Sequence, residues 1–393
     1  MMPLDMKRNQ FSLLESNMAM KRLIPLLFGL GLILASGSAC GPRPKPAPLS
    51  AVGLESAAAA EPEEQLRKRV SLIAVGDVMT DRNVGDAIAR NGSRSILAKV
   101  RAVTADADVS FANLECPLST AGGHDPKNCC FRARPSTVNV LVDGGFDIVS
   151  LANNHTLNAG REGIAQTYDV LDKQQIPYCG AWRDKARSGE PTYLEAGEGP
   201  VKMAFIGATD LSFEHGSYNK VTADRSNLVA QIRKAKQNAD LVCVSVHWGD
   251  EYKTLPNKRQ VGTAHAAIDA GADLILGHHP HVLEGIEVYR GKPILYSMGN
   301  FVFDQREGER MESAIFRLEY TAGWGWQICA KPIWISRPRL GPGFPDAARR
   351  DKILARLAKI SKPLGTTLQI KDGKAWLRIP ESAPAAATAK GSS

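Results

Sequence analysis

Six short apolar runs recur between residues 70 and 277: VSLIAV (Val70–Val75), DVSFAN (Asp108–Asn113), DIVSLA (Asp147–Ala152), VKMAFI (Val201–Ile206), LVCVSV (Leu241–Val246) and DLILG (Asp273–Gly277). Each is too short for a helix and lacks the alternation of a strand with one wet face, so the pattern predicts strands buried on both sides. Between them, Glu162–Gln174, Asn227–Asn238 and Lys258–Ala270 place apolar residues at helical spacing. Strand and helix in alternation predict an α/β domain. After Gly277 the rhythm changes. IEVY, PILYSM, SAIFRLEY and QICAKPIWIS follow with only short turns between them, which predicts antiparallel pairing and a second sheet. Pro345–Lys359 reads as a surface helix that closes the domain.

The ends of the chain read differently. Lys21 and Arg22 precede the apolar run Leu23–Leu34, followed by ASGSA and Cys40. A positive end, a short apolar core and small residues describe an export segment, and the run falls short of the ~20 residues of a membrane span. Cys40-Gly41 resembles a bacterial lipoprotein box, although Gly37 stands where leucine is usual. Residues 1–40 are therefore expected to export the protein to the periplasm or cell surface, with Cys40 as a lipidation site. Residues 41–69 are rich in Pro and Ala and read as a linker,. The folded domain is expected over 70–338, a helical extension over 339–380 and a disordered tail over 381–393.

Composition narrows the function classes. At 44% hydrophobic residues the chain can bury a sizeable core. The net charge of +8 is dispersed, with no basic block interleaved with aromatics, so nucleic acid is not an expected partner. Mild positive charge suits a polyanionic substrate or an acidic envelope surface. Lipidation of Cys40 would leave six of seven cysteines, an even number that permits disulfides in an oxidising compartment. Cys116 with Cys129 or Cys130 is the shortest loop closure, and Cys243 in VCVSV reads as a buried free thiol. There is no CxxC pair for a structural zinc knuckle.

The chemistry lies where the apolar runs end. The first ends in Gly76-Asp77, the second in Asn113-Leu114-Glu115 and the third in Asn153-Asn154-His155. The fifth ends in His247-Trp248-Gly249-Asp250-Glu251, and the sixth in Gly277-His278-His279-Pro280-His281. In an open α/β sheet these carboxyl ends converge on one crevice. Any one of these residues alone reads as a turn or core residue; together they read as a metal site. A mixed carboxylate, amide and imidazole shell without thiolate suits Zn, Mn or Fe. His124, His215 and His265 lack this context.

The segments GDVM, FANLECPL, SLANNHTLNAG, VHWGDEY, GHHPHVLEG and YSMGNFVFDQ together resemble the poly-gamma-glutamate capsule synthesis (CapA) family of the calcineurin-like metallophosphoesterase superfamily. The resemblance runs from about Val70 to Gln305. It implies a four-layer α/β/β/α sandwich with a centre of two divalent metals at the carboxyl ends of the strands. Carried over residue by residue, it makes Asp77, Glu115, Asn154, His247, His279 and His281 metal ligands. His155 would stand beside the leaving group. Asn113, Asn300 and Asp304 are further candidates. Two positions depart from the superfamily pattern: Met79 stands where the first motif has histidine, and Glu115 where a bridging aspartate is usual.

Arg132 and Arg134, in CFRARPS, are candidates for binding a phosphate or carboxylate, beside the reading as surface charge. The implied function is an exported capsule or envelope protein acting on an anionic polymer or phosphoester, through metal-dependent phosphoester hydrolysis. Two alternatives stand beside it. One is a non-hydrolytic accessory role in poly-gamma-glutamate synthesis or export, and the other is metal-dependent amide hydrolysis of such a polymer.

Overall fold

Alternation along β1 (Arg69–Val78) sends Leu72 and Ala74 into one core and Ile73 and Val75 into another. Such a strand is buried on both faces, and its continuous apolar run requires that. A computed structural model of the chain describes residues 68–122, 130–184, 187, 189–211, 225–337 and 340–381. The export segment with Cys40, the linker up to Arg67, the tail after Glu381, Cys129, His124 and His215 lie outside the described residues.

After β1 come α1 (Arg82–Asn91), α2 (Arg94–Leu97), α3 (Arg101–Thr104), β2 (Val109–Leu114), α4 (Asn139–Gly144), β3 (Ile148–Ser150), α5 (Gly160–Lys173) and β4 (Tyr178–Cys179). The next stretch holds β5 (Thr192–Ala196), β6 (Val201–Thr209), α6 (Arg225–Lys236), β7 (Leu241–His247), α7 (Lys258–Ala270), β8 (Leu274–His278), β9 (Ile286–Tyr289) and β10 (Lys292–Leu295). The chain then forms β11 (Asn300–Val302), β12 (Glu312–Thr321), β13 (Gly325–Ser336), β14 (Gly341–Gly343), α8 (Ala347–Ser361), β15 (Gln369–Lys371) and β16 (Lys374–Ile379). All six strands expected before Gly277 are present, and α7 has the bounds its spacing gives. Its start is fixed by a capping box between Asn257 and Gln260 and its end by Gly271 in the left-handed region,.

Two sheets result. The larger has the order β15-β16-β13-β12-β1-β2-β3-β4, with β11 beside β1 and β14 beside β13; the smaller runs β5-β6-β7-β8-β10-β9. Leu72, Phe111, Phe205, Leu276 and Phe316 fill the space between the sheets. Ile73, Ala112 and Val149 pack outward against Val84, Leu141, Ile164 and Leu171 of the helices on the large sheet. Val242, Val244 and Ile275 pack outward against Ile232, Ala264 and Ile268 of α6 and α7. The order is α/β/β/α, the four layers expected.

Three expectations are corrected. The antiparallel strands after Gly277 do not make a sheet of their own: β10 and β9 extend the parallel β6-β7-β8 set, while β12 and β13 extend β1. β10 lies parallel to β8 and carries β9 antiparallel on its outer side, whereas β12 lies antiparallel to β1 and carries β13, so each pair joined a free edge of the strands already formed. Residues 339–380 are not a helical extension. They contain β14, β15 and β16, and β16 pairs along β13. Within them α8 turns Ile353, Leu354, Leu357 and Ile360 into the core between the sheets, so it plugs the core. Finally, Cys116 is a buried free thiol whose sulfur accepts the Thr80 backbone N–H at 3.4 Å, and Cys130 is free as well. Cys243 is free and buried, as its apolar run implies. Among the described residues no helix is long and apolar enough to cross a membrane.

Candidate metal centre

The carboxyl ends of β1, β2, β3, β7 and β8 meet at one edge. Register alone does much of this: Asp77 lies opposite both Asn113 and Asn300, and His247 lies opposite His278. Asp77 is fully buried. Its Oδ1 accepts the Asn113 amide at 2.9 Å and lies 3.1 Å from His278 Nδ1, while Oδ2 faces the His279 backbone N–H at 3.4 Å. Asn153 donates to Asn113 Oδ1 at 3.1 Å and to the Leu114 carbonyl at 2.9 Å, which ties the β3 end to β2. Asn154 Oδ1 lies 2.8 Å from His247 Nε2 and its amide 3.2 Å from His155 Nε2.

Glu115 is at the centre of this ring. Three imidazole nitrogens surround its Oε1: His155 Nε2 at 3.8 Å, His281 Nε2 at 3.8 Å and His247 Nε2 at 3.9 Å. Both of its carboxylate oxygens are buried without a hydrogen-bond partner. Two sets of side chains gather their ligand atoms within 4.8 Å of one another: Asp77, Glu115 and His247, and Glu251, His279 and His281. His281 Nδ1 is held at 2.9 Å by Asn300, so Asn300 orients a candidate ligand.

The local backbone is built for this. His279 (φ 96°) and His281 (φ 58°) are both in the left-handed region. Such residues cost about 1–3 kcal/mol each and persist where the surroundings demand them. They break the strand-like alternation, so all three histidines of the cluster reach the site. Tyr252, also left-handed at φ 65°, donates its N–H to the Pro280 carbonyl at 2.8 Å and fastens the Glu251 loop to the histidine loop.

Burial sets the charge states. It pushes the Glu115 carboxyl well above its usual range, with Asp77 as the second cause,. Burial would raise Asp77 too, but the hydrogen bond and charge of His278, with His247 and His281, hold its carboxyl below the usual range. Burial lowers His155 to about 4, against the Asn158 hydrogen bond, and His279 to about 4, helped by His281. It carries His247 further down. Neutral imidazole is the metal-ligating form. Burial also pushes the Cys116 thiol up to about 12, so no thiolate competes.

Asp77, Glu115, Asn154, His155, His247, His279 and His281 are thus brought together, with Asn113 and Asn300 bracing them. Asp304 is in neither ligand set: it ion-pairs with Arg82 and accepts the Asn83 amide at 2.9 Å. Among the described residues, Arg132 and Arg134 make no hydrogen bond or ion pair to these ligand residues. Arg132 gives its guanidinium to the Gly122 carbonyl, and Arg134 is exposed. The arginine near the centre is Arg82, whose guanidinium lies 4.7 Å from the Phe131 ring centroid; the His155 ring, at 4.0 Å, and the Phe303 ring, at 5.9 Å, pack against the same phenyl group. Sequence reasoning missed Arg82 and gave Glu251 no role, although Glu251 ends the run that begins at His247. Met79 is buried, with its sulfur accepting the Asp81 N–H at 3.1 Å.

Residues 71–305 match the family model described as bacterial capsule synthesis protein PGA_cap. The chain is 33% identical over 315 residues to the PGA biosynthesis protein CapA of Bacillus subtilis, covering 78% of this chain and 82% of that protein. It is 34% identical to the capsule biosynthesis protein CapA of Bacillus anthracis, covering 63% of each. A Mycobacterium tuberculosis protein named "Probable polyglutamine synthesis accessory protein" is 31% identical, over 59% of this chain and 67% of that one. Among solved structures, a 5′-nucleotidase of Candida albicans superposes with a TM-score of 0.40 and 12% identity, over 75% of this chain and 58% of that one.

Proposed function

The chain belongs to the bacterial capsule synthesis protein family, and from that premise we propose that it is an exported, metal-dependent hydrolase acting on an anionic envelope or capsule substrate, with phosphoester cleavage as its reaction. The carrying observation is Glu115. A fully buried carboxyl with two unpartnered oxygens and three imidazole nitrogens at 3.8–3.9 Å has no rationale as packing,. It fits a divalent cation. Asp77, Glu115 and His247, with Asn154, would hold one ion, and Glu251, His279 and His281 a second. Such ions polarise a phosphoryl oxygen and offset the charge that develops as the bond breaks.

The protein's own groups do the rest. Asn158 Oδ1 accepts from the Phe131 backbone N–H at 2.8 Å and lies 2.7 Å from His155 Nδ1. That places the imidazole proton on Nδ1 and leaves Nε2 to take up a proton and return it to the departing oxygen. Arg82, held by Asp304 and by the Phe131 and Phe303 rings, supplies positive charge near His155 for an oxyanion. Export rests on the Lys21–Cys40 segment, with Cys40 as the anchor.

The test pairs metal analysis with hydrolysis of an aryl phosphate in the presence of Mn²⁺. His155→Ala is expected to lower kcat by about 10²–10⁴-fold with metal retained, whereas His281→Ala loses metal as well. Wild-type turnover in His155→Ala would sink the mechanism. Metal bound without turnover would favour the accessory role, which the name of the mycobacterial relative supports. Cleavage of polyglutamate with no action on phosphoesters would favour amide hydrolysis.

A further inference from the structure

On the outer face of the large sheet the helical cover stops part-way across. The core beneath the helices takes in Ile315 of β12 and Ile333 of β13. The next positions on that face are Arg317 and Lys331, and neither is part of it. Cys329 of β13 lies opposite Trp376 of β16, so two residues further along each strand bring Lys331 beside Lys374,. Lys371 of β15 lies directly opposite Lys374. Three lysines therefore form a row across three adjacent strands, with steps of about 4.8 Å. Arg378, exposed, continues the same face along β16.

Like charges directly opposite each other on a sheet are destabilising. Among the described residues, Lys331, Lys371, Lys374 and Arg378 form no ion pair. Further along this face Glu319 is engaged by Arg317 at 2.7 Å and Arg69 at 3.9 Å, Arg317 also meets the Asp106 carboxylate at 3.4 Å, and the Lys99 side chain passes Gly343 beside Phe344. Asp372 adds one exposed carboxylate in the β15–β16 turn. Burial, and then Lys374, hold the Lys331 ammonium below its usual range. Two rings support the row: Lys331 lies 3.9 Å from the centroid of Phe344, which is itself exposed, and Lys374 lies 5.6 Å from that of Trp376.

We propose that this uncovered face binds an extended polycarboxylate chain, which lays successive carboxylates along the lysine row and its methylenes against Phe344 and Trp376. A single small anion gains little from one exposed lysine. A chain with repeated charges engages three or four cations at once, each contact raising the effective concentration of the next. A single-stranded polynucleotide is the less suited occupant: it calls for rings free to stack successive bases, and both rings here already carry an ammonium group. None of these residues belongs to the metal centre, so binding here is independent of hydrolysis there.

The test is fluorescence anisotropy of the full chain with labelled poly-L-glutamate, using single-stranded DNA and inorganic polyphosphate as parallel probes. Binding that weakens as salt rises is expected, with a loss of at least about tenfold in affinity in the Lys331→Ala/Lys371→Ala/Lys374→Ala variant. A Lys352→Ala/Lys359→Ala/Lys362→Ala variant removes the same charge elsewhere and should bind as wild type. The first variant should melt no lower than wild type, since it removes opposed like charges, and the second close to wild type, since it loses only the pair between the exposed Lys352 and Glu312,. Unchanged affinity in the first variant, or an equal loss in the second, overturns the assignment. Tighter binding of DNA or polyphosphate than of poly-L-glutamate overturns the polycarboxylate as the occupant.

Discussion

Glu284 shows at the residue scale what a buried acid costs. It lies under the histidine loop with one oxygen accepting the Gln260 amide at 2.8 Å and the other buried without a partner. Burial pushes its carboxyl up to about 8. Unfolded, it titrates near the ordinary 4.5. Between those values the folded chain keeps a proton that the unfolded chain has released, so stability falls as pH rises from about 4.5 to about 8 and then levels. The whole effect is roughly 3–5 kcal/mol. Melting Glu284→Gln across that range, with chelator present to remove metal linkage, should give a shallower decline than wild type. Equal slopes would mean that Glu284 does not carry the dependence. Glu115 is under the same penalty with less compensation, since neither of its oxygens has a hydrogen bond, and a bound cation is what would relieve it.

At the scale of elements, the site depends on how closely β8 can pass its neighbour. A Cβ on Gly277 would lie 1.9 Å from the Tyr296 carbonyl oxygen, a backbone atom that cannot swing aside. Gly277→Ala should cost at least about 1–3 kcal/mol by overpacking. Because His278, His279 and His281 follow immediately, metal affinity should fall with it. Isothermal titration with Mn²⁺ beside thermal melting checks both, and unchanged metal affinity would show that the histidine loop is positioned from its other side, through Tyr252 and Asn300. The strands themselves were legible in the sequence because a buried strand announces itself locally by its apolar run. Which sheet each hairpin would join was not, because β9 and β12 carry similar patterns and the choice was made by the neighbouring edge.

For the whole molecule the decisive feature is the core between the two sheets and the helix that seals it. Ile353, Leu354, Leu357 and Ile360 of α8 are buried there. At about 1.5–3 kcal/mol for each buried side chain, their loss comes to roughly 6–12 kcal/mol, comparable with the entire stability of an ordinary domain. Ending the chain at Leu340 should therefore abolish cooperative melting and expose apolar surface to a reporter dye. A truncated chain that still melts sharply would show that α8 is an appendage after all.

What the sequence determined by itself was local: six apolar runs, the helices between them, and the polar residues that end five of the runs. Those facts sufficed for the α/β class and for the five strand ends as one candidate site, because a strand's carboxyl end is adjacent in sequence to the loop it delivers; the family resemblance then selected Asp77, Glu115, Asn154, His155, His247, His279 and His281 from them. What only the tertiary structure decided was long-range. Asp304 was paired with Arg82, 222 residues away; Glu251 was set beside His279 and His281; α8 was turned inward; and the lysines of β13, β15 and β16 were aligned into one row. Each of these depends on which element packs against which, a choice made by the shared burial of surfaces that no single stretch of sequence contains.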